Sequence, residues 1–321
     1  MGDSLGDTLI PPIPLAGVSS ETLRSGVCHA SPVIKLAWLR NRVPVIDHAV
    51  SVLGTKPVVK AAMRWSTVKE PIRFNAAELF GPRGRVQVRR IRDGRVVLRH
   101  RTRDIDIFDE IFVGNLGYEP PSAVALQFRD SPPRRVLDLG GNIGLFGVYA
   151  LARWPGATVT SVEPDTDNLP LLTRCVALND AAARWTIIAA CAATEPGVVA
   201  FSGGRFADSA IALAGEAVTD QVVAVDALAL LSEADFAKID IEGSEWALLG
   251  DQRFAASAPA VLVMEWHQRG CPSGDPLEAA VDLLRRAGYE VEGEPTPAGQ
   301  TYGTLWAWRP AQPSPAPPQN T

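Results

Sequence analysis

The chain has 321 residues, of which 46% are hydrophobic and 21% are charged, so it is long enough for one large globular domain or for one domain with an extension. Its net charge of −5 provides no broad basic field, which excludes a protein that binds nucleic acid through general charge. The sequence contains no apolar run of about 18 residues and starts Met-Gly-Asp without a basic region, so we expect neither a membrane span nor a signal peptide.

The four cysteines are scattered along the chain, at Cys28, Cys175, Cys191 and Cys271, and no two of them form a Cys-x-x-Cys pair. This spacing argues against a zinc cluster and against a disulfide framework. We therefore expect a protein of the reducing cytoplasm.

Composition divides the chain into four predicted parts. Residues 1–30 are rich in proline, glycine and serine and are predicted to be flexible. Residues 31–130 are predicted to form an extension of short helices and a β-hairpin, which would supply a substrate-binding or lid region. Residues 131–309 alternate strand and helix patterns and are predicted to form the main domain. Residues 310–321 have the composition of a disordered tail.

The hairpin is predicted over residues 86–100, with Asp93 and Gly94 as its turn. Arginine is frequent in and around it, at Arg85, Arg89, Arg90, Arg92, Arg95, Arg99, Arg101 and Arg103. The pattern fits a solvated, twisted hairpin, and it also fits a patch that contacts an anionic substrate or carrier group. The sequence leaves both interpretations open.

The main domain alternates strands and helices. Strands are predicted at residues 135–139, 157–163, 185–191, 197–202, 221–225, 235–241, 259–266, 287–292 and 303–308, and helices at 144–153, 166–178, 244–250 and 275–287. This alternation predicts an α/β fold with a doubly wound, mostly parallel sheet. Ligands of such sheets bind beyond the carboxyl ends of the strands, so the residues at those ends are the candidates for function.

The first of these strands runs into a glycine turn. Asp138 lies near its end, and Gly140, Gly141 and Gly144 allow the backbone to turn sharply and approach a ligand. Glu163 follows about 20 residues later at the end of the next strand, where a carboxylate can accept hydrogen bonds from ribose hydroxyls. The glycines do not form the G-x-G-x-x-G pattern of NAD-binding proteins, and a carboxylate beside the turn suits a cationic ligand. S-adenosylmethionine, which carries a sulfonium and an amino group, is such a ligand.

Charged residues also follow two later strands. Lys238, Asp240 and Glu242 alternate and are predicted to share one face of an extended segment. Glu265 and His267 alternate in the same way. Charged side chains on one face of a central strand cost free energy unless they are paired or used, so the sequence predicts a functional cluster here.

These motifs resemble the FkbM family of S-adenosylmethionine-dependent methyltransferases. The matching segments are residues 136–144, 162–164, 177–179, 225–228, 238–245 and 264–267, and residues 110–118 fit the family's entry to the core. Together they span about residues 105–270. The block Lys-Ile-Asp-x-Glu-Gly-x-Glu at 238–245 is the most specific, and Gly141 stands where the family commonly has alanine.

The resemblance implies a Rossmann-like class I methyltransferase fold and methyl transfer from S-adenosylmethionine, most often to oxygen. The acceptor would be a hydroxyl of a sugar or of a secondary metabolite, such as a polyketide, glycoside or peptide antibiotic. The residues it implies for cofactor binding are Tyr118, Asp138, Gly140, Gly141, Asn142, Gly144, Glu163, Pro164 and Asp240. For catalysis it implies His267 as general base, with a pKa near the working pH, surrounded by Glu265, Glu242, Asp240 and Lys238.

Several alternatives stay open on the sequence alone. The acceptor could instead be a nitrogen or a carboxylate of a carrier-bound or nucleotide-linked substrate, and a non-catalytic nucleotide-binding module is the alternative of another class. A divalent metal would suit Asp240, Glu242, Glu265 and His267, but their spacing is no metal signature, so we predict no metal site. We expect a small-molecule substrate and no nucleic-acid or membrane partner, and we leave a homo-oligomer open.

Overall fold

The computed structural model describes residues 55–113, 118–203, 209–213, 215–293 and 299–310. The predicted flexible N-terminus, the short helices predicted before residue 55 and the predicted tail after residue 310 lie outside these ranges. The described residues from 61 to 310 belong to one compact unit. Among the described residues, no helix combines the length and the apolar character that a membrane-spanning helix needs.

The residues that precede the main domain form helices and a two-stranded hairpin. They are helix α1 (Thr55–Arg64), helix α2 (Pro71–Phe80), strands β1 (Val86–Ile91) and β2 (Gly94–Arg99), helix α3 (Asp104–Phe108), a π-helix (Asp109–Val113) and helix α4 (Ser122–Asp130). β1 and β2 pair antiparallel, which confirms the predicted hairpin. Its turn lies one residue earlier than predicted, because Ile91 pairs with Gly94 and leaves Arg92 and Asp93 as the two turn residues.

Gly94 allows the hairpin to pack closely against helix α6 (Leu169–Leu178) and its neighbour α5 (Leu145–Arg153). A Cβ at Gly94 would lie 2.9 Å from Asn179 Oδ1 and 3.0 Å from Val148 Cγ1. Asn179 Oδ1 accepts a hydrogen bond from Arg95 N at 2.9 Å, and Asn179 Nδ2 donates to Arg95 O at 2.7 Å. The hairpin is therefore fixed to the main domain through both backbone groups of Arg95.

The main domain begins at residue 135. Its strands are β3 (Arg135–Leu139), β4 (Thr158–Val162), β5 (Trp185–Ile188), β6 (Cys191–Ala193), β7 (Gly197–Ser202), β8 (Ala210–Ile211), β9 (Asp220–Asp226), β10 (Phe236–Ile239), β11 (Val261–His267), β12 (Glu290–Gly293) and β13 (Tyr302–Trp308). The remaining helices are α7 (Ala227–Ser232), α8 (Glu245–Gly250), α9 (Phe254–Ser257) and α10 (Pro276–Arg286). The short elements α7, α9 and β8 are not predicted from the sequence.

Seven strands form the central sheet, in the spatial order β12-β13-β11-β10-β3-β4-β5. The five strands from β11 to β5 pair in parallel, and β13 runs antiparallel to both of its neighbours. The predicted α/β fold with a mostly parallel sheet is therefore confirmed. The carboxyl ends of β3, β4, β10 and β11 lie at one edge of this sheet, which brings the predicted site segments together.

A second, four-stranded sheet corrects the prediction of one sheet. The predicted strand 185–191 breaks into β5, which stays in the central sheet, and β6, which pairs with β9. β7 pairs antiparallel with β8 and β9, outside the central sheet. The physical reason is that these strands leave one face in solvent, since Val198 and Val223 are 67% and 57% exposed, whereas central parallel strands are covered on both faces.

Successive residues of the central strands pack into two apolar cores, one on each face of the sheet. Val136 and Phe236 belong to the core that includes α5, α6 and the hairpin. Leu137 and Ile239 belong to the core that includes α7, α8 and α10. The sheet is therefore doubly wound, as predicted, and polar groups are collected at the ends of its strands.

Candidate active site

The glycine turn after β3 passes very close to the end of β10. Gly140 has a φ of +84°, and a Cβ at this position would lie 1.8 Å from the Asp240 carbonyl oxygen. Gly144 has a φ of +88°, and a Cβ there would lie 2.6 Å from Leu172 Cδ1. Any other residue at either position would be strained and would collide with its neighbours, so the local path of the turn requires both glycines.

The first backbone amides of the turn are used within the protein. Gly140 N and Gly141 N both donate to Val162 O, at 3.0 and 2.9 Å, and Asn142 N donates to Glu163 Oε2 at 2.7 Å. A turn that cradled a pyrophosphate would direct such amides at the ligand. This turn therefore fits a nucleoside ligand without phosphate groups, which agrees with the prediction from the sequence.

Lys238 holds the turn in place from the neighbouring strand. Its side chain is buried, and Nζ donates to Gly140 O at 2.7 Å and lies 3.4 Å from Asp138 Oδ1 and 3.2 Å from Asp240 Oδ2. Burial alone would lower the pKa of Lys238, but the charges of Asp240 and Asp138 raise it above its usual value, so the ammonium group stays protonated. Asp138 is fully buried and also accepts a hydrogen bond from Ser161 Oγ at 2.8 Å. Lys238 and Asp138, both predicted as site residues, therefore support the turn from inside the protein.

Glu163 joins the turn to the end of β4. Its Oε1 accepts a hydrogen bond from Asp165 N at 2.9 Å and lies 3.4 Å from Asn168 Nδ2, while Oε2 accepts from Asn142 N. Burial raises the pKa of Glu163 to about 7, although these three donors act in the opposite direction. A carboxylate has about four acceptor positions, so Glu163 retains capacity for further donors such as ribose hydroxyls.

Glu245, the first residue of α8, organises the loop after β10. Its Oε1 accepts a hydrogen bond from Ile241 N and its Oε2 accepts from Gly243 N, both at 2.8 Å. The two bonds bend the backbone into a turn in which Glu242 has a φ of +54°. The prediction that an extended segment continues through Glu242 is therefore wrong, since β10 ends at Ile239. Glu245 is fully buried and is missing from the predicted site, although it closes the specific block at 238–245.

His267 lies among carboxylates. Its Nδ1 is 3.1 Å from Glu245 Oε1, and its Nε2 is 3.4 Å from Glu242 Oε2 and 3.6 Å from Glu265 Oε1. Burial alone would lower the pKa of His267, but the hydrogen bond and charge of Glu245, together with the charges of Glu242 and Asp240, raise it to about 10. The expectation of a pKa near the working pH is therefore wrong. At neutral pH His267 is an imidazolium, which donates hydrogen bonds and cannot accept a proton.

Tyr118 is buried beside this cluster, and Glu265 is partly buried with 15% of its side chain exposed. Burial and the charge of Asp240 raise the pKa of Glu265 well above its usual value, while His267 acts in the opposite direction. Burial and the charges of Asp240 and Glu265 also raise the pKa of Tyr118, so its phenol stays protonated and can donate. The site thus holds more protons at neutral pH than the same groups would hold in water.

Arg269 fixes the other side of the loop after β10 and is missing from the predicted site. Its Nη1 donates to Glu242 O at 2.7 Å, its Nη2 to Ile211 O at 2.5 Å, and its Nε to Glu216 Oε1 at 3.0 Å. These bonds connect the loop to the end of β8. No local pattern in the sequence marks Arg269, because its partners lie about 27 to 58 positions away.

An open cleft lies at the carboxyl ends of β3, β4 and β10. The predicted site residues that line it are Gly140, Asn142, Glu163, Pro164, Asp240 and Glu242. The cleft is also lined by Val162, Asn168, Cys191, Ala192, Phe201, Ser209, Ala210, Ile211, Ile241 and Ser244. Among the described residues, the predicted positions Tyr118, Asp138, Gly141, Gly144, Lys238, Glu265 and His267 do not line this cleft.

Asp240, Glu242 and His267 each offer a possible metal-ligand atom, and the three atoms lie within 4.8 Å of one another. A histidine that binds a metal must be neutral, whereas the pKa of His267 is raised to about 10. Lys238 Nζ also lies 3.2 Å from Asp240 and would repel a second cation. In this protonation state the three residues do not fit a divalent metal, and no step proposed below uses one.

Comparisons with known proteins give one family match and a set of distantly similar solved structures. Residues 138–291 match the family model described as the methyltransferase FkbM domain. Similar solved structures include a precorrin-6y C5,15-methyltransferase from Geobacter metallireducens, with 15% identity, a TM-score of 0.34 and coverage of 55% of this chain and 80% of that chain. A putative O-methyltransferase from Nostoc punctiforme has 15% identity and a TM-score of 0.34, with coverage of 58% of this chain and 54% of that chain. TYW2 from M. jannaschii in complex with AdoMet has 11% identity and a TM-score of 0.36, with coverage of 72% and 87%.

A search of curated proteins gives no significant match. The strand order is an observation separate from the family match. In it, the antiparallel β13 lies between β11 and β12 at one edge of the parallel strands. Residues 138–291 therefore form an FkbM methyltransferase domain, and the protein is a methyltransferase that uses S-adenosylmethionine.

Proposed function

We propose that this enzyme transfers a methyl group to a hydroxyl oxygen of a sugar or of a secondary metabolite. The observation that carries the proposal is the arrangement of carboxylates across one cleft. Glu163 lines the side beside the glycine turn, and Asp240 and Glu242 line the adjoining side. Carboxylates accept hydrogen bonds and do not donate them, so this lining favours an acceptor group that carries a proton.

The fit to S-adenosylmethionine rests on the chain's own groups. Glu163 would accept hydrogen bonds from the two ribose hydroxyls, and the turn of Gly140 and Asn142 would lie along the nucleoside. When bound, S-adenosylmethionine supplies an electrophilic methyl group on its sulfonium sulfur. Asp240 and Glu242 would orient the acceptor hydroxyl, whose oxygen forms the new bond to carbon as the sulfur–carbon bond breaks. The hydroxyl proton then passes to a carboxylate.

Glu242 is the proposed proton acceptor, in place of the histidine predicted from the sequence. Its carboxylate lines the cleft, while Asp240 is paired with Lys238 at 3.2 Å. The imidazolium of His267, 3.4 Å from Glu242 Oε2, would orient that carboxylate.

The experiment is methyl transfer to a panel of sugars, glycosides, polyketides and amino sugars, followed by mass spectrometry and NMR of the product. A new methoxyl group supports the proposal. The Glu242→Gln variant should lose most of kcat, by about 10²-fold or more, while the exposed Glu195→Gln variant keeps full activity. Methylation of a carboxylate alone would contradict the hydroxyl acceptor. An unchanged kcat in Glu242→Gln would contradict Glu242 as the proton acceptor.

N-methylation is the second candidate, because the same carboxylates would attract a protonated amine. A carboxylate acceptor has less support, since Asp240 and Glu242 would repel it. For the carrier-bound alternative, Arg89 and Arg99 of the hairpin are buried and hydrogen-bonded inside the protein, so only its exposed arginines, such as Arg90 and Arg92, could contact a carrier group. An N-methyl signal in the product would select the second candidate over the first.

A further inference from the structure

A buried series of polar side chains connects the N-terminal hairpin with Glu163. Arg99, the last residue of β2, is 6% exposed. Its Nε donates to Asp104 Oδ2 at 2.8 Å, and its Nη2 lies 3.1 Å from Asp104 Oδ1 and 2.6 Å from Asn168 Oδ1. Asn168, which is 2% exposed, then directs Nδ2 at Glu163 Oε1 over 3.4 Å. The series thus joins two segments that lie 69 positions apart in the sequence.

The guanidinium of Arg99 determines which way the Asn168 carboxamide faces. A guanidinium can only donate hydrogen bonds, so it selects the amide oxygen and leaves the amide NH₂ for Glu163. With the amide reversed, its oxygen would face the Glu163 carboxylate and its NH₂ would face the guanidinium. Both contacts would then be repulsive in a buried setting, where such mismatches are costly.

Asp104 keeps the guanidinium in this position. Its carboxylate is fully buried and forms a bidentate contact with the Arg99 guanidinium. It also accepts a hydrogen bond from Arg99 N at 2.9 Å. Because Arg99 and Asp104 form a neutral pair, the effect on Glu163 is transmitted through the orientation of Asn168 and not through net charge.

The orientation of the Asn168 carboxamide matters because Glu163 has few hydrogen-bond donors to offset the effect of burial on its pKa. Burial raises the pKa of Glu163 to about 7, and the donors at Asp165, Asn142 and Asn168 lower it. Loss of the Asn168 donor would raise the pKa further, so that more of the carboxyl would be protonated near neutral pH. A protonated carboxyl accepts hydrogen bonds from ribose hydroxyls less well.

We propose that Arg99 is a positioning residue for the cofactor, because it fixes the Asn168 carboxamide that orients Glu163 for the ribose hydroxyls. The hairpin then contributes to cofactor binding without touching the cofactor. This inference rests on the proposed assignment of Glu163 to the ribose.

The test is calorimetric titration of the full chain with S-adenosylhomocysteine and with its 2′,3′-dideoxy analogue. The first variant is Arg99→Lys, which keeps a positive charge beside Asp104 but lacks the planar fork that reaches both partners. The second is Asn168→Ala, which removes the connection and leaves Arg99 paired with Asp104. Arg90→Met, an exposed arginine on β1, is the matched control.

Both variants should bind S-adenosylhomocysteine about tenfold more weakly at pH 7 while the affinity for the dideoxy analogue stays within about twofold. The loss should grow as the pH falls from 8 to 6, and the control should match the parent protein with both ligands. Unchanged binding of S-adenosylhomocysteine would overturn the inference. An equal loss for both ligands would overturn it as well, because general damage to the fold does not depend on the ribose hydroxyls.

Glu163→Gln separates this inference from the proposed function. If this variant binds both ligands as the parent protein does, the ribose assignment fails and the inference fails with it. If Glu163→Gln loses affinity for S-adenosylhomocysteine alone, whereas Arg99→Lys and Asn168→Ala do not, only the inference about Arg99 fails.

Discussion

Replacement of Lys238 by Met tests whether the buried cation supports the glycine turn. The substitution keeps the approximate volume and removes the charge that faces Asp138 and Asp240 at 3.4 and 3.2 Å. Asp138, which is fully buried, would be left without a counter-charge. Removing one partner of a buried ion pair typically costs about 3–5 kcal/mol, so the free energy of unfolding should fall by about that amount at pH 8.

The loss should depend on pH in a definite direction. Burial already raises the pKa of Asp138, and Lys238 acts against that shift, so the substitution raises the pKa further. A carboxyl whose pKa is higher in the folded state than in the unfolded state stabilises the fold at low pH and loses this contribution as the pH rises through the folded pKa. The deficit of the Lys238→Met variant should therefore be largest at pH 8 and smaller at pH 5.

Urea unfolding followed by circular dichroism measures the effect. With a slope of about 3 kcal/mol/M, the midpoint should fall by about 1–1.7 M at pH 8. The double variant Lys238→Met/Asp138→Asn removes both charges and should recover at least half of the loss, and the exposed Lys69→Met is the control. A change within about 0.5 kcal/mol, a deficit that does not vary with pH, or no recovery in the double variant would refute the reasoning.

Three further predictions concern the turn, the histidine and the metal. Gly140→Ala should abolish binding of S-adenosylmethionine in calorimetry or prevent folding, since its Cβ would meet a backbone oxygen at 1.8 Å, whereas Gly156→Ala, with open space around it, should bind normally. Equal binding by the two variants would contradict the geometry of the turn. Glu245→Gln should lower the pKa of His267 from about 10 toward about 6.5, because the carboxylate charge that raises it is lost. NMR titration of the imidazole measures this pKa, and a value that stays near 10 would show that Glu245 is not the cause. Methyl transfer should be unaffected by EDTA, and a loss of activity that Mg²⁺ or Mn²⁺ restores would show that the cluster at the strand ends binds a metal after all.

The sequence predicts the central sheet because its strands are buried on both faces and read as apolar runs. β3 and β10 are of this kind, and the polar residues that follow them lie at the edge where ligands of parallel sheets bind. That rule brings Glu163, Asp240 and Glu242 to one cleft. The separate sheet of β6 to β9 is not predicted because, over short stretches, its strands resemble those of the central sheet. The sequence of a single strand also does not show which strand it pairs with.

Other features of the site depend on contacts between distant segments. The raised pKa of His267 arises from Glu245, Glu242 and Asp240, which approach it only in the folded chain. The residue type alone suggests a base with a pKa near neutrality, and the surrounding charges reverse that conclusion. The contact between Arg99 and Asn168 is likewise not predicted, since the local sequence around each residue does not indicate that it contacts the other.

The close packing at Gly94 and Asn179 has a consequence for how this enzyme can be cut or recombined. The segment that defines its family begins at residue 138, yet β2 covers helices α5 and α6 with Val96, Val97 and Leu98, none of which is exposed. A shortened protein that starts near residue 131 would leave those helix surfaces bare and prone to aggregation. Chimaeras that exchange substrate-binding regions between relatives should therefore keep the hairpin with its own α5 and α6, and should place the junction before β1.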